Sequence, residues 1–321
     1  MKNQISVIGL STNPVITYSP LVMAISDRAV DLHLKISAPA KGNKLPILIL
    51  SHGHGPSTYL SSLRGLAPLT EFFSSKGFIV IQPTHPDSKI LGLDPTGPEG
   101  PLFLKSRVKD MHFILDNLDQ ILTTVPGLEN RADKSQVSAI GHSLGALTLG
   151  MLAGAEVTDH VTGETISMPD PRLKARILIG APGSPEGLNG DFALTNYPIL
   201  KGINYKTMSL PALIVYGDKD INLHFSDVEA WRADPYHDAP GDKSLLTVFG
   251  AEHIYGGISG WDVAETSDEN PERVAFVCES ILAYINSSMN TGDDSWEQLE
   301  KDFQKDPHAK ARIDNKSEVI L

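Results

Sequence analysis

The segment Gly-His-Ser-Leu-Gly at residues 141–145 places a serine between two glycines, directly after a predicted strand at 137–140 and before a predicted helix at 144–152. A sharp turn from a strand into a helix lifts a serine hydroxyl above the edge of a sheet, and the flanking glycines leave room for that turn. The helix also directs its first N–H groups and its positive dipole end toward an oxyanion. The pattern predicts Ser143 as a nucleophile and the backbone N–H of Leu144 as an oxyanion donor.

A nucleophilic serine requires a base, and the chain holds 11 histidines. Sites built on parallel sheets lie at the carboxyl ends of the strands, and here the expected chain order is serine, acid, histidine. His253 follows a predicted strand at 245–249, whereas the other histidines downstream of Ser143 lie in polar connections or in the tail. His253 is therefore the predicted base.

An acid is needed to hold the base in the correct tautomer and to stabilise the imidazolium. The segment Tyr-Gly-Asp-Lys-Asp at 216–220 ends the predicted strand at 212–216 and offers two carboxylates. We predict Asp220 as the acid, because Asp218 lies directly after the glycine and is suited to capping the turn.

The second oxyanion donor is expected from the loop after the predicted strand at 46–50, which reads Ser-His-Gly-His-Gly at 51–55. We assign it to the backbone N–H of His54, with Gly53 as the alternative. Three aromatic side chains are candidates for substrate binding, although ordinary packing would also explain them: Phe103, in a Pro- and Gly-rich loop at 83–106, and Tyr255 and Trp261, near the predicted base.

Strand and helix patterns alternate from residue 46 onward, which predicts an α/β fold with a mostly parallel sheet and helices on both faces. Residues 29–36 alternate apolar and polar side chains, as expected for an antiparallel N-terminal strand. We expect one domain over residues 1–289, with a possible small lid at 181–209. The charged segment 290–321 is expected to be partly helical, over 295–304, or loose.

The composition and charge of the chain disfavour some classes of binding partner. The net charge of −12 disfavours nucleic acid, since such a surface repels phosphate groups. The single cysteine, Cys278, allows no intrachain disulfide. No apolar run is long enough to span a membrane and no signal peptide is recognisable, so we expect a cytoplasmic location. The amino-acid sequence does not predict the oligomeric state.

The chain resembles the α/β-hydrolase superfamily. Within it, PILILSHGHG at 46–55, SKGFIVIQP at 75–83 and GHSLG at 141–145 resemble the dienelactone-hydrolase and platelet-activating-factor-acetylhydrolase branch, over residues 25–287. The resemblance implies an α/β-hydrolase fold and hydrolysis of a small carboxylic ester without a metal or an organic cofactor. The chain departs from the acetylhydrolases at His54, where an apolar residue is usual.

Three other functions stay open at this point. His52 and His54 are spaced to bind a metal ion together, with His85 and Asp87 as further candidate ligands of a metal-dependent hydrolase. The same three catalytic residues serve amidases and acyltransferases. A non-catalytic binding protein of the same fold is the third alternative.

Overall fold

The computed structural model describes residues 13–26, 28–260 and 266–317, and its centre is a nine-stranded sheet. In spatial order, the strands are β1 (Val15–Met23), β2 (Leu32–Pro39), β4 (Ile79–Pro83), β3 (Leu45–Ser51), β5 (Ala132–His142), β8 (Ala175–Ile179), β10 (Ala212–Gly217), β11 (Lys243–Val248) and β12 (Ala311–Lys316).

Six neighbouring strands, from β4 to β11 in that spatial order, are parallel to one another. The two N-terminal strands β1 and β2 pair antiparallel, as does β2 with β4. The predicted α/β architecture with a mostly parallel sheet is therefore confirmed. All residues of β4, β8, β10 and β11 are buried, which explains why these segments are nearly continuous apolar runs.

Successive side chains of a strand point to opposite faces of the sheet, so both faces are apolar here. Helices cover each of them. In β3, Ile47 and Ile49 join one apolar cluster and Leu48 and Leu50 join the other. The first cluster includes side chains of α2 (Leu104–Asp116), α3 (Leu118–Thr123) and α4 (Leu144–Leu152), and the second includes side chains of α1 (Ala67–Ser75), α7 (Pro271–Met289) and α8 (Ser295–Lys305). In the part of the chain that the structure describes, no helix is long and apolar enough to cross a membrane.

The segments 156–166 and 181–209, which precede and follow β8, lie outside the nine-stranded sheet. Three short strands, β6 (Glu156–Thr158), β7 (Thr165–Ile166) and β9 (Ile203–Asn204), make a second sheet in which β6 is central. The segment 181–209 adds α5 (Asp191–Asn196) and three 3-10 turns. A lid role for this segment stays a prediction.

In the C-terminal segment, α8 matches the helix predicted over 295–304, and the chain beyond it forms strand β12 through residue 316. Helix α8 packs on α7, with the ring of Trp296 edge-on to that of Tyr284 at 5.2 Å between centroids. Strand β12 then pairs antiparallel with β11 and buries Ala311 and Ile313. The segment therefore completes the sheet on the edge next to β11. A short helix, α6 (Asp234–Asp238), precedes β11.

Candidate active site

Four loops meet at the carboxyl edge of the parallel strands. Ser143 follows β5, Asp220 lies three residues after β10, His253 lies five residues after β11, and residues 52–55 follow β3. Because these strands are parallel neighbours, their carboxyl ends are brought together although the residues are far apart in sequence.

Ser143 has an unusual backbone conformation, with φ 56° and ψ −116°. A non-glycine residue rarely adopts positive φ, and a strained conformation of this kind costs on the order of 1–3 kcal/mol. The surrounding structure imposes it. The N–H of Ser143 donates to the carbonyl of Ile179 at 2.8 Å, and all nine residues of the following helix α4 are buried.

The two glycines that flank this turn are required by close backbone contacts. A Cβ at Gly141 would lie 2.1 Å from the carbonyl oxygen of Gly145, and one at Gly145 would lie 2.0 Å from that of Ser51. No side chain fits at either position without moving the backbone. The spacing seen in the sequence thus has a steric cause.

Asp220 and His253 form a hydrogen-bonded pair. Nδ1 of His253 lies 2.8 Å from Oδ2 of Asp220, whose side chain is 1% exposed. Nε2–H of His142 donates to the carbonyl of His253 at 2.8 Å and holds the loop after β11. A Cβ at Gly180 would lie 3.2 Å from Oδ2 of Asp220, so the pair is closely packed against the end of β8.

Arg232 is a buried partner of Asp220 that sequence reasoning missed. Its Nε lies 2.7 Å from Oδ1 of Asp220, close enough for an ion pair although the two atoms are not aligned for a hydrogen bond. The guanidinium also donates to the carbonyl of Gly180 at 2.9 Å. Burial by itself raises the pKa of Asp220, but His253 and Arg232 hold that pKa below its ordinary value. The acid is therefore kept as a carboxylate.

Ser143 and His253 line the same cavity, of about 160 Å³. His54 and Gly53 line it as well, and a Cβ at Gly53 would lie 3.2 Å from that of Ser143. Leu144 is the first residue of α4, and the N–H groups of a helix's first turn have no acceptor within the helix. The N–H of Leu144 can therefore donate to an oxyanion.

Behind this cavity, His52 and His85 have both ring nitrogens engaged within the protein. The backbone N–H of His85 donates to Nε2 of His52 at 3.0 Å, and Nδ1 of His52 donates to the carbonyl of Gly53 at 2.8 Å. The ring of His85 contacts Ser51 Oγ and Asp110 Oδ2 at 3.0 Å and 2.9 Å. Neither ring has a nitrogen left for the metal site considered above.

Protonation of the buried histidines predicts a loss of stability in mild acid. Burial lowers the pKa of His52 and of His142 to about 3, and that of His85 well below its ordinary value. The unfolded chain binds these protons near pH 6.5, so stability is complete above that pH and is lost as the pH falls toward 3. Asp110 and Asp234, whose pKa values burial raises to about 6, oppose this trend but are fewer.

We therefore expect the urea midpoint of unfolding to fall steadily between pH 7.5 and pH 5. Ordinary carboxylates titrate mainly below this range, so the change in midpoint is the contribution of the histidines less the smaller, opposing contribution of Asp110 and Asp234. A midpoint that stays constant over these pH values would contradict the neutral state of the buried rings.

Of the three aromatic candidates, Tyr255 is not among the described residues that line the Ser143 cavity. It is fully buried, and its hydroxyl donates to the carbonyl of Val215 at 3.0 Å and accepts from the N–H of Gly217 at 3.1 Å. Phe103 is half-buried next to α2 and is not among the described residues that line the Ser143 cavity, so its role in binding stays a prediction. Trp261 lies outside the described residues.

Comparison of the sequence with models of protein families and with curated proteins finds no match. Any assignment of the protein to a class therefore rests on its fold and on this site. The fold is α/β, and the site combines a strained serine at the carboxyl end of β5 with a histidine–carboxylate pair in the neighbouring loops. Within the described ranges, no group of three or more histidine, cysteine, aspartate or glutamate side chains is arranged to hold a metal ion.

Proposed function

We propose that the protein is a serine hydrolase of the α/β-hydrolase type that cleaves carboxylic esters. The observation that carries the proposal is the shared cavity: Ser143 and His253 both line it, and His253 is hydrogen-bonded at 2.8 Å to the buried carboxylate of Asp220. A nucleophile, an acid and a base in this chain order, each after the end of a strand, are typical of that fold.

In the first half of the reaction, Ser143 Oγ attacks the ester carbonyl carbon and its proton passes to Nε2 of His253. The Nδ1–H of His253 stays hydrogen-bonded to Asp220, which stabilises the imidazolium. The carbonyl oxygen becomes an oxyanion that accepts hydrogen bonds from the N–H groups of Leu144 and His54. Collapse of this intermediate breaks the ester bond, and His253 protonates the departing alcohol.

In the second half, water attacks the acyl-enzyme while His253 again accepts a proton. The carbonyl oxygen returns to the same two N–H donors, and the carboxylic acid leaves as Ser143 regains its proton. Arg232 takes no part in the transfers. Its charge keeps Asp220 ionised and fixes the orientation of the carboxylate.

Amide hydrolysis and acyl transfer use the same residues and remain alternatives on this site. A binding protein that lacks catalysis is less well supported, because strain at Ser143 and a buried ion pair at Asp220 are costly features with no evident role in a passive pocket.

The test is hydrolysis of a p-nitrophenyl ester series from acetate to dodecanoate, with a fluorophosphonate or EDTA added in parallel. We expect turnover that the phosphonate abolishes and EDTA leaves intact, with the phosphonate adduct located on Ser143 by mass spectrometry. Loss of turnover with EDTA alone would assign the chemistry to metal ions instead. Failure to hydrolyse any ester, with no adduct on Ser143, would overturn the proposal.

A further inference from the structure

A second histidine–aspartate pair borders the cavity that contains Ser143. Nδ1 of His54 lies 3.0 Å from Oδ2 of Asp87, and the His54 side chain, 12% exposed, lines the cavity. The ring of Tyr197 meets that of His54 edge-on, with the centroids 5.5 Å apart. The imidazole is thus held by a carboxylate and by an aromatic neighbour.

The carboxylate of Asp87 is in turn fixed by Arg107. Both side chains are fully buried and are ion-paired through Nη1 of Arg107 and Oδ1 of Asp87. Arg107 also donates to the carbonyl of His52, and its Nε donates to the hydroxyl of Thr148 at 3.0 Å. Burial raises the pKa of Asp87, but Arg107 and His54 outweigh it and hold that pKa well below its ordinary value.

This arrangement determines which ring nitrogen of His54 carries a hydrogen. An ionised carboxylate only accepts hydrogen bonds, so Nδ1 of His54 carries the hydrogen. In the neutral ring, Nε2 then has a lone pair and is the nitrogen left for a ligand. Burying an ion pair to orient one side chain is costly, and an apolar residue would fill the same space without that cost. The cost points to a role for the ring nitrogen in the cavity.

We propose that Nε2 of His54 binds a hydroxyl group of the substrate that lies within a few bonds of the ester carbonyl. The inference rests on the proposed function, in which the backbone N–H of His54 receives the oxyanion. Because the oxyanion donor and the imidazole belong to one residue, the group that the ring contacts is close to the carbonyl oxygen. The expected substrates are hydroxylated esters, with the hydroxyl on the acyl or on the alcohol side.

Two matched substrate pairs separate these sides. The first is p-nitrophenyl 3-hydroxybutyrate with p-nitrophenyl butyrate. The second is 2-hydroxyethyl butyrate with propyl butyrate, followed by acid release in a pH-stat. For the wild-type protein, kcat/KM is expected to favour the hydroxylated member of at least one pair by about 3- to 10-fold, as one neutral hydrogen bond implies.

Two variants of His54 isolate the Nε2 contact. His54→Phe removes both ring nitrogens, whereas His54→Asn keeps a donor near the position of Nδ1 for Asp87 but has no atom near that of Nε2. We expect both variants to bring the hydroxyl preference close to unity. His112→Phe is the matched control: His112 also contacts a buried aspartate, Asp170, at 3.0 Å, but does not line the cavity, so its loss should leave the preference unchanged.

The outcomes distinguish this inference from the proposed function. Phosphonate labelling of Ser143 reports on the nucleophile alone and shows that each variant is folded at the site. Suppose that the wild-type protein is labelled at Ser143 but hydrolyses both members of each substrate pair at an equal rate. This result would overturn the role of His54 and leave the esterase proposal in place. A preference that persists in His54→Asn would do the same. Absence of labelling and of turnover would overturn the proposed function itself.

Discussion

Replacing Ser143 with alanine is expected to lower kcat for ester hydrolysis by about 10⁶-fold, the loss typical when a serine nucleophile is removed. Without Oγ no acyl-enzyme forms, and the oxyanion donors can assist only a direct attack by water. Alanine keeps the Cβ and the positive φ of 56°, so the strain of the turn is unchanged and the fold should be retained. Steady-state hydrolysis and circular dichroism measure the two effects.

Ser259→Ala is the control for this experiment. Ser259 lines the same cavity as Ser143 but has no part in the proposed mechanism, so its variant should keep activity within a few-fold. Near-normal turnover in Ser143→Ala, or an equal loss in both variants, would contradict the assignment of the nucleophile.

Replacing Asp220 with asparagine is expected to cost about 10⁴-fold in kcat, because an amide favours the wrong tautomer of the neighbouring histidine. The same change leaves the buried guanidinium of Arg232 without its anionic partner, and we therefore also expect a lower free energy of unfolding. Activity should be measured at a temperature where urea titration shows that the variant is folded.

Asp218→Asn is the matched comparison, two residues away. The Oδ1 of Asp218 accepts a hydrogen bond from the N–H of Gly250 at 2.6 Å, a contact that the amide oxygen of asparagine can also make. We expect a small effect on kcat. A loss in Asp218→Asn as large as that in Asp220→Asn would contradict the division of roles between the two carboxylates.

Several features of the fold follow from local sequence patterns. The parallel strands are recognisable because both their faces are covered, which makes them short apolar runs between polar loops. Other local signals are easily overlooked. Helix α1 begins at Ala67, and Pro68 in its first turn marks that start. The apolar residues over 108–125 follow a helical spacing, but two helices, α2 and α3, share them and are separated at Asn117.

Strand β12 illustrates what local pattern cannot supply. Its sequence, Ala-Arg-Ile-Asp-Asn-Lys, has only two buried apolar residues and is an edge strand. Such a segment becomes a strand because β11 offers it free backbone groups to pair with, and that edge exists only in the folded sheet. The tail was therefore predictable as a helix but not as part of the sheet.

By itself, the sequence determined the candidates for catalysis at Ser143 and His253, since a strained turn and a loop after a strand have local signatures and parallel strands align their carboxyl ends. Only the tertiary structure decided which of two nearby aspartates contacts His253, that Arg232 supports it, and that His54 is held by Asp87 and Arg107. These contacts join residues 12 to 33 positions apart in sequence through side chains alone. No local periodicity records such contacts, because their geometry depends on how separate loops pack.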